Sequence, residues 1–203
     1  MGIYEKYFLP KLLNAVMKSP DLTALRKQWV PQAEGKVLEV GIGSGLNLPF
    51  YSPGVTVYGV DPSLELQEYA REVAQRAKVN VEFVPQGCED LPFASDYFDT
   101  ALVTWTFCTI PDPISAIHEI RRVLKPNGKL IFVEHGKARE DAVVKWQNRI
   151  NPIWKRLAGG CELNRAPDLS LLDNGFKFAT MEEGYVPGPK FATYNYRGIA
   201  TPL

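Results

Sequence analysis

The feature that most constrains this chain is a glycine-rich turn directly after a short apolar run. Residues 37–40 have the pattern of a buried strand, glycines follow at positions 41, 43 and 45, and a second apolar run ends on the carboxylate Asp61. Glycine lets the backbone come close to a ligand, and the free amides at the start of a following helix face the ligand's anionic group. An acid at the end of the neighbouring strand can accept hydrogen bonds from both hydroxyls of a ribose. This pattern predicts an α/β fold that binds a nucleoside at the carboxyl ends of its strands.

The spacing of the glycines distinguishes between nucleoside ligands. A dinucleotide fingerprint, G-x-G-x-x-G, needs a third glycine where the helix packs on the strand, but Leu46 and Asn47 follow Gly45 here. A nicotinamide-dependent oxidoreductase is therefore disfavoured. The acid Glu39, just before the turn, suits a ligand that carries an ammonium group. A non-catalytic module that binds a nucleoside cofactor remains a further hypothesis.

Residues 39–45 resemble the first motif of the class I S-adenosylmethionine-dependent methyltransferases, in which an acid precedes alternating glycines. Further matches follow in the family's order at residues 61–63, 83–93 and 98–134, so the resemblance spans residues 36–135. It implies S-adenosyl-L-methionine as the cofactor. The residues that it assigns to the cofactor site are Glu39, Gly41, Gly43, Gly45, Asn47, Asp61, Pro62, Gly87, Cys88, Glu89 and Thr104. Gly87 stands where the family often has an acid, so adenine recognition is expected to depend on the backbone near Cys88 and on Glu89.

A closer resemblance concerns the methyl acceptor. Residues 105–109, the pair Glu134-His135 and residues 159–165 look like segments of the alkyl thiol S-methyltransferases and their bacterial relatives, in the methyltransferase type 11 group. This implies an acceptor pocket lined by Tyr4, Tyr7, Trp105, Cys108, His135, Cys161 and Arg165, with His135 as the candidate catalytic base. Similar bacterial sequences are often labelled phospholipid N-methyltransferases, so a phospholipid or small amine remains an alternative acceptor. The other interpretation is that these side chains pack the loops over the sheet and do not line an acceptor pocket.

The resemblance also implies the architecture. We expect a single methyltransferase domain over residues 1–203, with a Rossmann-like, doubly wound α/β sheet of about seven mostly parallel strands. Alternating aromatic runs at residues 176–183 and 191–200 predict a closing antiparallel hairpin. Residues 1–33 are expected to form a helical lid over the cofactor site, and residues 34–203 the core. A helix that starts near Arg139 is predicted to break at Pro152.

Composition agrees with a small globular enzyme. The 203 residues are 45% hydrophobic, and 23 basic residues balance 23 acidic ones, which gives no electrostatic basis for binding nucleic acid. No apolar run has the length of a membrane span, so we expect a cytoplasmic protein that acts on a small molecule and has no integral membrane segment. Peripheral membrane contact and the oligomeric state are left open. The cysteines at positions 88, 108 and 161 show no C-x-x-C spacing, which predicts neither disulfides nor a metal site.

Overall fold

The computed structural model describes residue 14 and residues 16–203. Tyr4, Tyr7 and the other residues of the expected lid at positions 1–13 and 15 lie outside these residues. The helices are α1 (Pro20–Trp29), α2 (Leu64–Ala77), α3 (Pro113–Val123), α4 (Asp141–Leu157), α5 (Pro167–Asp173) and α6 (Lys190–Thr193), with 3-10 helices at Val30–Gln32 and Leu48–Phe50. The strands are β1 (Lys36–Val40), β2 (Thr56–Val60), β3 (Asn80–Val84), β4 (Phe98–Thr104), β5 (Leu124–His135), β6 (Phe176–Tyr185) and β7 (Tyr194–Pro202). In the described part of the chain, each helix is too short or too polar to cross a bilayer.

The strands form one sheet in the order β3-β2-β1-β4-β5-β7-β6. The first five strands are parallel, whereas β7 runs antiparallel to both β5 and β6. The predicted Rossmann-like sheet of seven strands with a closing hairpin is therefore confirmed. The chain reverses its direction of winding between β1 and β4, and the carboxyl ends of those two strands border the crevice where such sheets bind ligands.

Apolar residues cover both faces of the sheet. On one face, Trp29 of α1 and Ala70 of α2 pack in a buried cluster with strand residues such as Val57. On the other face, Ile117 of α3 and Leu171 of α5 belong to a second buried cluster. Strands covered on both sides are typical of parallel sheets, and this packing fixes the strand ends that carry the candidate site.

Two local predictions were wrong. The helix expected after the glycine turn is reduced to the 3-10 helix at Leu48–Phe50, because Pro49 and Pro53 each lack an amide hydrogen and disfavour helical geometry in the preceding residue. Conversely, α4 continues through Pro152 without a break. Tertiary contacts on both sides of this proline outweigh the lost hydrogen bond, since Gln147 before it and Trp154 after it are both anchored to neighbouring segments.

Gln147 anchors α4 through a buried side-chain amide. Its Oε1 accepts from the amide of Ala138 at 3.0 Å, and its Nε2 lies 2.9 to 3.0 Å from the carbonyl oxygens of Gly136, Leu163 and Phe191. One side chain therefore connects the segment after β5, the segment after α4 and the start of α6.

We expect Gln147→Leu to lower the free energy of unfolding by about 2 to 5 kcal/mol, because it leaves several buried backbone groups without partners. Urea unfolding measures this change. The control is Gln75→Leu, which alters an exposed glutamine on α2 and should change stability by less than about 0.5 kcal/mol. Equal effects of the two variants would contradict the anchoring role.

Candidate functional site

The glycine turn after β1 leaves open space at one position. Gly41, Gly43 and Gly45 all have positive φ, at 73°, 50° and 78°. A Cβ atom at Gly41 would collide with Thr106, and one at Gly45 would lie 2.8 Å from a methyl group of Leu48. At Gly43, by contrast, the nearest described atom would be 3.9 Å away. Packing requires glycine at the first and third positions, whereas the second gives a ligand access to the backbone.

Asp61 fastens this turn to the end of β2. Its Oδ2 accepts from the Gly43 amide at 3.0 Å and its Oδ1 accepts from the Ser63 amide at 2.8 Å, beside Pro62. Burial raises the pKa of Asp61, although the two backbone hydrogen bonds act in the opposite direction. The structure therefore brings the predicted ribose acceptor against the open glycine position. Each carboxylate oxygen has a second lone pair with which it can accept from a hydroxyl group.

A buried network joins three of the predicted cofactor residues. The Asn47 amide donates to Glu39 Oε1 and to Thr104 Oγ1, in both cases at 2.9 Å. Glu39 is 1% exposed, and its Oε2 accepts from the Tyr51 hydroxyl at 2.8 Å. Both carboxylate oxygens thus already hold the glycine turn in place, and direct contact of Glu39 with a ligand ammonium group stays a prediction.

Arg26 completes the network and was missed by the sequence analysis. Its Nε donates to Asn47 Oδ1 at 3.1 Å, its Nη1 donates to the Met17 carbonyl at 2.6 Å, and its guanidinium lies 4.7 Å from the centre of the Trp105 ring. The side chain is 3% exposed, and burial lowers its pKa to about 10. The signal in the sequence that could have identified Arg26 is its position beside Leu25, on the side of α1 that is buried.

The residues after β3 that were predicted to meet the adenine are Gly87, Cys88 and Glu89. The Cys88 side chain is buried in the apolar core, and burial raises the pKa of its thiol to about 12. The Glu89 carboxylate folds back over Gly87, where a Cβ atom would collide with it. A side chain at position 87 would thus displace the Glu89 carboxylate, and contact of these residues with the adenine stays a prediction.

Cys108, His135 and Cys161 come together beyond the ends of β4 and β5. Their sulfur and nitrogen atoms all lie within 4.8 Å of one another, and Cys161 Sγ is 3.2 Å from His135 Nε2. The hydrogen bond with Cys108, and then that with His135, lowers the pKa of Cys161. Burial acts to lower the pKa of His135, but its hydrogen bond with Cys161 and the charge of that group raise it overall. The same contact thus lowers the pKa of the Cys161 thiol and raises that of the His135 imidazole.

Glu134 adds a second buried acid to this end of the sheet. Its Oε1 accepts from the Thr106 amide at 2.7 Å, while burial raises its pKa to about 7. Its Oε2 and the Nδ1 atom of His135 are both buried, and neither has a hydrogen-bond partner among residues 14 and 16–203. In the sequence Glu134 stands out only as part of the Glu134-His135 pair, because a lone acid at a strand end gives no signal of where its oxygens point.

The remaining predicted pocket residues divide into two groups. Arg165 borders a cavity of about 150 Å³ together with Cys108 and His135, but its guanidinium is already bound to the Phe107 and Ile110 carbonyls and to Glu162. Trp105, which has a positive φ of 50°, donates from its indole to Asn195 at 2.9 Å and stacks with Arg26. Cys108, His135, Cys161 and Arg165 thus lie together, whereas Trp105 contacts the buried network around Asn47.

Comparison with known proteins agrees with this geometry. Residues 38–132 match the family model described as a methyltransferase domain. Thiol S-methyltransferase TMT1B of Homo sapiens is 33% identical over 156 residues, which cover 74% of this chain and 64% of that protein. Phosphatidylethanolamine N-methyltransferase of Cereibacter sphaeroides is 35% identical over 103 residues, or 50% of this chain and 51% of the relative. The chain thus spans less than two thirds of the length of these curated relatives.

The fold also agrees with solved structures. A crystal structure described as an S-adenosylmethionine-dependent methyltransferase, possible histamine N-methyltransferase, from Thermotoga maritima has a TM-score of 0.69 and 22% identity. The alignment covers 98% of this chain and 97% of that one. At this level of identity the likeness concerns the fold.

We expect Gly43→Ala to weaken binding of S-adenosylmethionine by at least tenfold, because the new methyl group occupies the only glycine position of the turn that is open among the described atoms. Calorimetric titration measures the affinity. Gly54→Ala is the matched control, since Gly54 also has a positive φ, 91°, and a Cβ atom there would meet no described atom within 4 Å. Both variants should lose about 1 kcal/mol of stability through backbone strain, but only Gly43→Ala should lose affinity. A comparable loss of affinity in both would contradict the assignment.

The buried carboxyl of Glu39 should make stability depend on pH. Burial raises its pKa from 4.5 to about 7 in the folded protein, against the hydrogen bonds from Tyr51 and Asn47. The contribution of the protonated Glu39 carboxyl to the free energy of unfolding is fully present below pH 4.5. This contribution is lost as the pH rises through 7, by up to about 1.4 kcal/mol per pH unit. Because Glu134 titrates in the same direction, we compare unfolding of the wild type and Glu39→Gln between pH 5 and 8. The variant should lose less stability across this range, and parallel curves would refute the assignment.

Proposed function

Because this chain belongs to the S-adenosylmethionine-dependent methyltransferases, we propose that it transfers the methyl group of that cofactor to the sulfur of a small-molecule thiol. The observation that carries the proposal is the cluster of Cys108, His135 and Cys161 with the buried acid Glu134 beside it. A site with sulfur and imidazole groups and a group able to accept a proton suits a thiol nucleophile.

The residues of the glycine turn fit the cofactor. Space at Gly43 admits a ligand to the backbone, and Asp61 lies against it with lone pairs that suit ribose hydroxyls. The Asn47 network keeps the turn in place without a following α-helix. When bound, S-adenosylmethionine supplies a methyl group that is already activated by a positively charged sulfur.

Thr106 contacts both parts of the site, the glycine turn after β1 and the acid beside the cysteine cluster. Its side chain fills the space that a Cβ atom at Gly41 would need, and its amide donates to Glu134. The glycine turn and the acid beside the cysteine cluster are thus both in contact with one residue. This proximity supports an acceptor site close to the methyl group, where in-line placement and exclusion of water provide most of the rate acceleration.

In this proposal Glu134 takes the acceptor's proton, because its Oε2 has no hydrogen-bond partner among the described residues. An ordinary thiol has a pKa of about 8.5, and burial holds the pKa of Glu134 at about 7, so transfer from thiol to carboxylate is only modestly uphill. Glu134 Oε2 would hold the proton that the acceptor thiol gives up, while the methyl group would leave the positively charged sulfur of the cofactor, which becomes a neutral thioether. His135, the predicted base, has its Nε2 engaged by Cys161, so within this proposal it positions the sulfur groups and Glu134 acts as the base.

Relatives support the choice of acceptor class. Thiol S-methyltransferase TMT1B, by its name, acts on thiols, and the part of this chain that matches it covers 74% of the sequence. The name of the Cereibacter sphaeroides relative instead favours a phospholipid amine.

One structural observation favours that second candidate. Helix α4 exposes Trp146 and Ile153, at 63% and 67%, beside the exposed cations Lys145 and Arg149. An amphipathic helix with aromatic and aliphatic residues next to basic ones can lie on an anionic bilayer surface, where a lipid amine is accessible. The second candidate function is therefore N-methylation of an ethanolamine headgroup.

An acceptor panel separates the two candidates. We expect a small alkyl thiol to be methylated faster than vesicles that contain phosphatidylethanolamine, with the demethylated cofactor and the methylated product measured by mass spectrometry. Asp61→Ala is the control, because it should remove turnover of every acceptor by weakening cofactor binding by about 2 to 4 kcal/mol. Turnover of the vesicles with no turnover of thiols would overturn the thiol assignment.

The role of Glu134 is tested by Glu134→Gln, which keeps an oxygen for the Thr106 amide but cannot accept the proton. The rate with a weakly acidic alkyl thiol should fall on the order of 10² or more, whereas an aryl thiol that is ionised at neutral pH should lose less than about tenfold. Glu72→Gln alters an exposed glutamate on α2 and serves as the control. Equal losses with both thiols would show that Glu134 does not act as a base.

A further inference from the structure

Cys108, His135 and Cys161 have a second chemical capacity. They offer two sulfur atoms and one ring nitrogen, all within 4.8 Å of one another. From this geometry we propose that they bind a single Zn²⁺ ion through Cys108 Sγ, Cys161 Sγ and His135 Nε2. Two cysteines and one histidine form a donor set that suits zinc, and three protein ligands leave one coordination position for water.

The distances are close to those that zinc requires. Zinc bonds of about 2.3 Å to sulfur and about 2.0 Å to nitrogen place tetrahedral ligand atoms about 3.3 to 3.8 Å apart. Cys161 Sγ and His135 Nε2 are already 3.2 Å apart. The other separations are at most 4.8 Å, so these ligand atoms need to approach one another by up to about 1 Å to reach the zinc geometry.

Each ligand is held by a well-anchored segment. Cys108 lies in a loop whose carbonyls are bound by Arg165, and its own carbonyl accepts from the Glu162 amide at 2.9 Å. His135 ends β5 in register with Asn195 of β7. Cys161 follows two glycines with positive φ that turn the chain back after α4. Anchoring of this kind reduces the ordering entropy that metal binding would otherwise cost.

The surroundings supply the outer contacts that metal ligands need. The Trp154 indole lies 3.4 Å from Cys161 Sγ and donates to it, which stabilises a thiolate. His135 Nδ1 is buried and has no partner among the described residues; it is the ring atom that donates to an outer ligand or water when Nε2 binds a metal. The cavity of about 150 Å³ beside Cys108 and His135 has room for such water and for the fourth ligand.

Charge balance also favours the ion. Two thiolates and a neutral imidazole carry two negative charges, which Zn²⁺ neutralises, so the loaded site buries no net charge. Binding releases two protons to solvent, which leaves Glu134 free for the role proposed above. Sequence spacing gave no indication of this site, because the three ligands come from three separate elements.

The test is titration of the fully reduced protein with zinc in competition with a chromophoric chelator, without cofactor or acceptor. We expect one ion per chain, with affinity lowered on the order of 10² or more in Cys161→Ser and in His135→Asn, and about 10-fold in Trp154→Phe. Cys88→Ala, which removes the cysteine outside the cluster, should bind zinc as the wild type does. If Cys108→Ser does not fold, Cys161→Ser and Trp154→Phe still provide the test.

Cobalt gives an independent measurement. The Co²⁺-loaded protein should show a thiolate-to-metal charge-transfer band that is lost in Cys161→Ser and retained in Cys88→Ala. No stoichiometric binding, or equal weakening in the cluster variants and in Cys88→Ala, would overturn the proposal. Because no methyl transfer is measured, the outcome is independent of whether the chain methylates thiols.

Discussion

The side chain of Asn47 makes the interaction on which most of the site depends. Through three hydrogen bonds it joins β1, β4 and α1 by way of Glu39, Thr104 and Arg26. In many doubly wound sheets a helix after the glycine turn holds the turn in place, but here only a 3-10 helix follows. A buried polar network takes over that task, and because each of its members is hydrogen-bonded within a low-dielectric interior, losing one leaves the others unsatisfied.

This arrangement connects the stability of the protein to its electrostatics. Glu39 and Arg26 are both almost fully buried, and the cost of removing them from water appears as a raised acid pKa and a lowered guanidinium pKa. Their mutual attraction offsets part of that cost. A buried pair of this kind contributes little net stability, but it specifies one geometry for the turn, and a turn that approaches a ligand closely depends on that geometry.

The sequence predicted the parts of the molecule that local chemistry determines. The aromatic hairpin follows from side-chain periodicity, so strands β6 and β7 were predicted correctly. Alternating glycines and an acid at a strand end follow from backbone sterics, and the structure brings Gly43 and Asp61 into contact, while their binding of the cofactor stays a prediction. The predicted break at Pro152 was wrong because propensity was applied where tertiary contacts decide. The predicted helix after the turn was wrong because the local effect of Pro49 and Pro53 was not taken into account. The buried side of α1 gave a signal for Arg26, but its hydrogen bonds, like the free oxygen of Glu134, could not be predicted, since residues distant in the chain make that environment. The roles assigned to Tyr4 and Tyr7 stay predictions.

The position of β7 has a consequence for the order in which the protein is made. This strand lies between β5 and β6, although it follows both in the sequence. While residues 194–202 are still inside the ribosome, the outer edge of β5 has no partner within its own sheet and β6 has no neighbour to join. His135 and Trp105 both depend on Asn195 for their surroundings, the first by strand register and the second by a hydrogen bond. A nascent chain can therefore pair strands β1 to β5 early, whereas the surroundings of His135 and Trp105 are complete only after residues 194–202 have been synthesised.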